Sequence, residues 1–109
     1  MPIVNIYTDD FRVNKLGALL PNLREFVARE LSCDDRRLAK DEVSLRILVP
    51  RESLRIANTE LEIKAHAYAD RVRRQDEICR SVREYVEREC PGAGSSYVWL
   101  QLSELGHSA

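Results

Sequence analysis

Pro2, which directly follows Met1, is the residue whose type and position most clearly suggest chemistry. Methionine aminopeptidases remove an initiator methionine when a small residue or proline follows it, so we expect the mature chain to begin with the free secondary amine of Pro2. A primary α-amino group titrates near ~7.7–8.0, and burial among cations lowers the pKa of an amine further. Pro2 could then act as a general base or nucleophile near neutral pH. The alternative is that Pro2 only starts an edge strand, where its missing N–H does no harm.

A cluster of arginines could hold an anionic substrate for such an amine. Guanidinium groups stay charged and can bind a carboxylate through two hydrogen bonds. Arg71, Arg73 and Arg74 lie within four residues at the start of a predicted helix, where positive charge is unfavourable. An anionic partner would offset that cost. The alternative is that neighbouring acidic residues, Asp70 among them, neutralise the cluster.

The chain contains an internal repeat at an offset of 59 residues. Residues 23–31 (LREFVAREL) and 82–90 (VREYVEREC) are identical at five of nine positions, and the Leu/Val and Phe/Tyr replacements are conservative. The same offset pairs Arg12 with Arg71. A repeat of this length predicts a single domain, spanning 1–109, built from two copies of one supersecondary unit at about 2–50 and 61–105.

Each copy is predicted to form a strand, a helix and a strand. In the first copy, strands at 3–8 and 42–49 flank a helix from 16 to 31, whose apolar residues recur at spacings of three and four. We expect Pro21 in the first turn of the well-formed helix, where its missing N–H costs nothing, after a looser lead-in at 15–20. In the second copy, strands at 61–67 and 97–102 flank a helix at 75–90, which the Pro and Gly residues of 91–94 end.

The element order β-α-β-β-α-β predicts an α+β fold with a four-stranded mixed sheet and two helices on one face. The other face of the sheet is left bare, and a bare face that is apolar needs another chain to cover it. The ferredoxin-like sandwich and the tautomerase fold share this element order. The internal repeat favours the tautomerase fold, whose two β-α-β units are related by a pseudo-twofold axis, although ferredoxin-like domains can also look duplicated.

Composition excludes several classes of function. The chain of 109 residues has 44% hydrophobic and 32% charged residues, as expected for one soluble globular domain. A net charge of −1 provides no basic field to gather nucleic acid, and no apolar stretch approaches the ~20 residues that span a bilayer. The N-terminus lacks the pattern of a signal peptide, so we expect a cytoplasmic protein that binds neither nucleic acid nor membranes.

The cysteines and histidines give no sign of a metal or redox centre. Cys33, Cys79 and Cys90 have no CxxC spacing, so we expect reduced thiols and no disulfide. His66 and His107 form no metal set with them. We expect His66 to face the sheet and His107 to lie in the terminal tail, neither with a functional role.

Pro2 at the head of the first strand, the duplicated β-α-β unit and the chain length together resemble the tautomerase superfamily. The resemblance covers residues 2–105 and is nearest to its two-unit members, such as 5-carboxymethyl-2-hydroxymuconate isomerase, with features of malonate semialdehyde decarboxylase and macrophage migration inhibitory factor. It implies a homotrimer in which the amino-terminal proline moves a proton between carbons of an enolisable keto acid. It implies no cofactor and a small anionic substrate.

The resemblance also implies site residues. Arg46, in the second strand, matches a substrate-binding arginine; the alternative is a solvent-facing residue on a half-exposed strand. Arg71 and Arg73 match a pair of site arginines separated by one residue, and Arg73 and Arg74 fit equally well if the register slips by one. Either Tyr97 or Trp99, in the last strand, resembles the aromatic wall of the proline pocket. The alternative is that Trp99 packs in a subunit interface.

These expectations converge on an isomerase that interconverts keto and enol forms of a small 2-oxo or 2-hydroxymuconate-type acid. A related possibility is decarboxylation or dehalogenation, with Pro2 protonated and acting as an acid. The alternative of a different class is a binding module without activity, either ferredoxin-like or a tautomerase relative.

Overall fold

Two strand–helix–strand units make up residues 1–104, the part of the chain that the computed structural model describes. In the first unit, β1 (Ile3–Tyr7) leads through a 3₁₀ turn (Asp10–Arg12) into α1 (Val13–Leu31), and β2 (Ser44–Leu48) follows. In the second unit, β3 (Thr59–His66) leads through the short α2 (Ala69–Arg73) into α3 (Gln75–Glu89), and β4 (Ser96–Ser103) follows. The predicted α+β fold, with two main helices and a four-stranded mixed sheet, is confirmed.

The strands run in the order β2-β1-β3-β4. Within each unit the two strands pair directly and in parallel, β1 with β2 and β3 with β4, and the units join through the antiparallel pair β1–β3. A ferredoxin-like sheet is built from split β-α-β units, in which another strand lies between the two connected strands. Direct pairing within each unit therefore separates this fold from the ferredoxin-like alternative.

A pseudo-twofold axis relates the units and runs between residues that the 59-residue offset makes equivalent. Val4 pairs with its own equivalent, Ile63, at the centre of the antiparallel pair. On the helix layer, Phe26 stacks on its equivalent, Tyr85, with ring centroids 4.1 Å apart and ring planes at 17°. The repeat read from the sequence is thus a structural symmetry.

The core lies between the sheet and the two long helices. α1 and α3 each bury one apolar stripe against the sheet, as the helical spacing predicts. Alternate residues of the central strands face the same layer, because side chains of a strand alternate between its faces. The fully buried apolar side chains from these elements include Val4, Ile6, Leu23, Val27, Leu61, Ile63, Ile78 and Val82.

The expectation for Pro21 was wrong, because α1 is continuous from Val13 to Leu31 and Pro21 lies in its interior. An interior proline removes one backbone hydrogen bond and costs roughly 3 kcal/mol. Buried residues on either side of it, Leu19 and Leu23, hold both halves of the helix against the sheet. Tertiary packing thus outweighs the local preference, and Pro21 itself is exposed.

The second unit differs from the first where its helix begins. A break at Arg74 separates α2 from α3, whereas α1 runs without interruption through the equivalent position, Lys15. The short α2 carries Arg71 on its buried side.

The face of the sheet opposite the helices, here called the open face, carries a mixture of polar and aromatic side chains. Asn5 of β1 is in register with Arg46 of β2 and Glu62 of β3, and Glu62 is in register with Trp99 of β4. Asn5 Nδ2 donates to Glu62 Oε1 at 3.0 Å. The two aromatic side chains that β4 places on this face remain substantially exposed, Tyr97 at 44% and Trp99 at 42%.

Within residues 1–104, every helix is too short or too polar to cross a lipid bilayer. His107 lies outside the described residues.

Candidate functional site

A small cavity of about 60 Å³ lies at the end of the sheet where β1 begins and β3 ends. Its location follows from the antiparallel pairing of the two strands, which brings the amino end of β1 beside the carboxyl end of β3. Pro2 therefore meets the turn that leads into α2. The cavity is lined by Met1, Pro2, Arg36, Leu38, His66, Tyr68 and Arg71.

Pro2 is held in this cavity by the sheet. Its residue is buried, and its carbonyl accepts a hydrogen bond of 3.0 Å from the backbone N–H of Ser44 at the start of β2. Met1 lines the same cavity and is 61% exposed. With Met1 present, the Pro2 nitrogen is an amide and cannot act as a base.

Arg71 is the buried cation of the cavity. Its side chain enters from α2 and is 2% exposed. Nε donates to the Leu31 carbonyl at the end of α1 at 2.8 Å, and Nη1 donates to the His66 carbonyl at the end of β3 at 2.9 Å. Nη2 is buried and has no hydrogen-bond partner among residues 1–104. Burial lowers the pKa of the Arg71 guanidinium from its usual value, although arginine stays charged at any physiological pH.

The second cation of the cavity, Arg36, is already paired. Its backbone forms a bridge with Cys33 in the turn after α1. Its guanidinium forms an ion pair with Glu42 and donates to the carbonyl of Arg37. Of these two arginines, Arg71 is the one that has no paired carboxylate and has a buried donor without a partner among residues 1–104.

The opposite end of the sheet carries the pseudo-symmetric counterpart of this site, and there two arginines share one carboxylate. Arg12 is equivalent to Arg71, but its guanidinium forms an ion pair with Asp9, which also pairs with Arg55. Hydrogen bonding from Arg55, with the charges of both arginines, lowers the pKa of the Asp9 carboxyl. The residue equivalent to Asp9 at the Pro2 end is Tyr68, which carries no charge and packs 4.8 Å beneath the Arg71 guanidinium. Arg12 Nε and Arg55 Nε are also buried without a hydrogen-bond partner among residues 1–104. The Pro2 end differs because, within these residues, no carboxylate forms an ion pair with Arg71.

The other two arginines of the 71–74 cluster are turned away from the cavity. Arg73 is exposed and forms an ion pair with Asp70. Arg74 binds Asp70 at 2.9 Å and donates to the Glu30 carbonyl at 3.0 Å. Both line a separate open groove of about 640 Å³ at the end of α1. Neutralisation by Asp70, the alternative considered for the cluster, describes these two arginines well.

Arg46, Tyr97 and Trp99 lie on the open face of the sheet. Arg46 is exposed in the middle of β2 and does not line the Pro2 cavity. The rings of Tyr97 and Trp99 contact each other with centroids 4.7 Å apart. They border a groove of about 410 Å³ between β4 and α3, which Arg80 and Arg83 also line. Of the predicted site residues, the structure brings Pro2 and Arg71 together within one chain.

Sequence reasoning missed Arg36, His66 and Tyr68 as cavity residues. Arg36 belongs to a loop whose path depends on the bridge to Cys33, which no local pattern indicates. His66 and Tyr68 carried a signal that was not used, since the last residues of β3 must lie beside the first residues of an antiparallel β1. Within the described part of the chain, no three His, Cys, Asp or Glu side chains are grouped as metal ligands would be.

Comparisons with known proteins give the fold a reference. No protein-family model matches the sequence, and no curated protein matches it significantly. Solved structures do match. A 5-carboxymethyl-2-hydroxymuconate delta-isomerase superposes over 100% of this chain and 87% of its own, with a TM-score of 0.65 at 10% identity.

Two further solved structures agree with that match. The macrophage migration inhibitory factor-like protein of Entamoeba histolytica covers 95% of this chain and 88% of its own, with a TM-score of 0.62 at 9% identity. The protein MIF2 of Leishmania major covers 99% of this chain and 93% of its own, with a TM-score of 0.59 at 14% identity. The chain has the tautomerase fold. At identities this low, the superpositions establish only the fold, which is the one that the sequence resemblance implied. Activity and substrate have to be argued from the site.

Proposed function

We propose that this tautomerase-fold protein is a cofactor-independent isomerase that uses the amino-terminal amine of Pro2, freed by removal of Met1, as general base and acid. Its substrate would be a small enolisable carboxylate of the 2-oxo or 2-hydroxymuconate type. Pro2 would take a proton from the carbon next to the carbonyl and return it to another position. Tautomerase-fold neighbours that include a named isomerase support the general class.

The observation that carries the proposal is the state of Arg71. A buried guanidinium with a buried, unpartnered N–H group is costly, because each unsatisfied polar group forfeits its interaction with water. A carboxylate bound at Nη2 would satisfy that donor and neutralise the charge. Pro2 lines the same cavity, so an acid held by Arg71 would present its neighbouring carbons to the amine. Of the 71–74 cluster, the proposal uses Arg71 alone.

Removal of Met1 serves two purposes in this proposal. It converts the Pro2 nitrogen from an amide into a secondary amine with a free lone pair. It also removes a side chain that lines the cavity, whose present volume of about 60 Å³ has room for no more than a few water molecules. The cavity without Met1 would therefore be larger.

We further propose that the chain forms a homotrimer through the open face of the sheet. Tyr97 and Trp99 leave a large aromatic surface uncovered there, and Arg46 lies on the same face. Aromatic residues and arginine are enriched in protein interfaces. Within a single chain, Arg46, Tyr97 and Trp99 do not line the Pro2 cavity. In such an assembly, one or more of them would instead contribute to the Pro2 site of a neighbouring subunit.

The test compares the wild-type protein with Pro2→Ala in the ketonisation of phenylenolpyruvate and of 2-hydroxymuconate, followed by UV absorbance. Intact mass establishes beforehand that both proteins lack Met1. Loss of a general base typically lowers the rate by 10²–10⁴-fold. Alanine at position 2 still offers a primary amine, so we expect a smaller loss for Pro2→Ala, of at least about tenfold. Pro50→Ala, in the loop after β2, is the matched control and should retain full activity. Equal rates for wild type and Pro2→Ala would refute the proposal and favour a binding protein without activity.

A further inference from the structure

His66 lies where a second proton-transferring group would be needed, and this position follows from the strand register. Ile3 of β1 pairs with Lys64 of β3 in the antiparallel ladder. Continued by two residues, that register places Met1 opposite His66, on the same face of the sheet. Side chains directly opposite in an antiparallel pair have Cβ atoms about 4.5–5.5 Å apart. Both residues line the Pro2 cavity, as this geometry requires.

Once Met1 is removed, the position opposite His66 is empty and the Pro2 amine stands at its edge. The imidazole would then be the one β3 side chain that lines the cavity beside the amine, since Ala65, opposite Pro2 in the same register, has no group that exchanges a proton. Within residues 1–104 the hydrogen bond from Arg71 goes to the carbonyl of His66, and neither ring nitrogen has a hydrogen-bond partner, so both are available. Partial exposure of the residue leaves room for that contact.

The surrounding structure holds His66 in this place. Its ring packs edge-on against Tyr68 with centroids 4.8 Å apart and ring planes at 64°. Its carbonyl accepts the hydrogen bond from Arg71 Nη1, so the backbone of His66 and the proposed carboxylate-binding group are fixed relative to each other. The backbone N–H of Ala67 donates to the Ser103 carbonyl at 2.8 Å, which ties the end of β3 to β4.

We propose that His66 is the second acid–base group of this site and exchanges the proton on the substrate oxygen while Pro2 exchanges the proton on carbon. This inference rests on the proposed function. In ketonisation, a neutral His66 removes the proton of the enol O–H. The O–H electrons form the carbonyl, and the electrons of the C=C bond take a proton from the protonated Pro2 amine. The products are the keto acid, a neutral Pro2 and a protonated His66, and exchange with water restores both groups. Enolisation is the reverse.

Imidazole suits this role because it is the side chain that most readily exchanges a proton near neutral pH. The mechanism requires opposite protonation states of the two groups, so the rate of ketonisation should fall at low pH, where His66 is protonated, and at high pH, where Pro2 is not. The charged and titratable groups around the imidazole are Arg36, Lys64, Tyr68, Arg71 and the terminal amine. The neighbouring strand β4 contributes Ser103, which is neutral.

The test is the pH dependence of kcat for ketonisation of 2-hydroxymuconate by His66→Gln and by wild type. We expect His66→Gln to lose about tenfold or more in kcat with KM changed less than threefold, and to lose the low-pH limb of the profile. Lys64→Gln, which removes a charge from the same strand face outside the cavity lining, should keep both limbs. Added imidazole should restore part of the activity of His66→Ala, a rescue that a purely structural role would not produce.

A readout independent of turnover accompanies the kinetics. Oxalate presents two adjacent oxygens like the enolate of a 2-oxo acid, and we expect it to shift the imidazole ¹⁵N resonances of His66 in the Met1-free protein. Wild-type kinetics and pH limbs in His66→Gln, with Pro2→Ala still impaired, would overturn the role of His66 and leave the proposed function standing. Unshifted His66 resonances at saturating oxalate would also overturn it. Equal rates for wild type and Pro2→Ala would instead refute the proposed function, and this inference with it.

Discussion

Replacement of Arg71 by methionine should destabilise the protein far more than its charge alone suggests. Methionine fills the space of the aliphatic stem but cannot donate to the carbonyls of Leu31 and His66, which Arg71 binds at 2.8 and 2.9 Å. A hydrogen bond to a charged donor contributes roughly 1.5–3 kcal/mol, so the two together amount to about 3–6 kcal/mol. The substitution also removes a buried charge whose Nη2 has no hydrogen-bond partner among residues 1–104, and the desolvation cost avoided in this way offsets part of the loss. We therefore expect a net destabilisation of about 3 kcal/mol.

Urea denaturation followed by circular dichroism measures this change. With a slope of about 1.5 kcal/mol per molar urea, a loss of about 3 kcal/mol lowers the midpoint by about 2 M. The matched control is Arg73→Met, two residues along the same helix, where an exposed arginine pairs with Asp70. An exposed ion pair contributes at most about 1 kcal/mol, so the control should move the midpoint by well under 1 M.

Oxalate extends the same experiment to anion binding. A ligand at ten times its Kd stabilises the native state by about 1.4 kcal/mol, and the Met1-free wild type should show a rise of this kind. Arg71→Met should show none, because the donor that the proposal assigns to the carboxylate is gone. The reasoning fails if Arg71→Met lowers the midpoint no more than Arg73→Met. It also fails if oxalate stabilises both proteins equally.

Three further predictions concern the rest of the fold. Hydrogen bonding from Arg74, followed by that from Arg73, lowers the pKa of Asp70, so the ionised carboxylate stabilises the fold above ~pH 4, and this stabilisation is lost as the pH falls through the lowered pKa. Between pH 7 and pH 3, the urea midpoint should therefore fall less steeply for Asp70→Asn than for wild type. Parallel curves for the two proteins would contradict this. The stacked pair Phe26–Tyr85 should show a coupling free energy of about 0.5–1.5 kcal/mol in a double-mutant cycle with leucine at each position. If the losses of stability in the two single variants simply add up in the double variant, the two rings do not stabilise each other. Burial, with the charge of Asp76, raises the pKa of the Cys79 thiol, so iodoacetamide should modify Cys79 more slowly than free cysteine at pH 8. Cys79 should react faster in Asp76→Asn than in wild type. Equal rates in the two proteins would count against a contribution from the charge of Asp76.

Much of the fold was predictable because the repeat carried long-range information that single patterns lack. Strand and helix periodicity located the elements. The 59-residue offset then predicted the symmetry, which appears in the structure as the pairs Val4–Ile63 and Phe26–Tyr85. Pro21 was misplaced because helix propensity is a local rule, and here buried residues on both sides of the proline outweigh it.

The site was harder to predict because it depends on where loops and strand ends meet. Arg71 was predicted as one member of a charge cluster, and nothing in the local sequence distinguished it from Arg73 and Arg74. In the structure, its burial on the inner side of α2 distinguishes it from them. Arg36 approaches Pro2 through a turn that follows α1. His66 was set aside as a histidine without metal partners, although the antiparallel order of β1 and β3 already required its strand end to lie beside Pro2.

The most direct test of the central claim compares one chain in two forms, the first beginning at Pro2 and the second carrying an N-terminal affinity tag that keeps the Pro2 nitrogen an amide. Intact mass verifies both forms, and circular dichroism verifies that both are folded. Ketonisation of 2-hydroxymuconate should then be catalysed by the Pro2-terminated form and be lost, by about 10² or more, in the tagged form. Equal rates in the two forms would contradict a catalytic amine at Pro2.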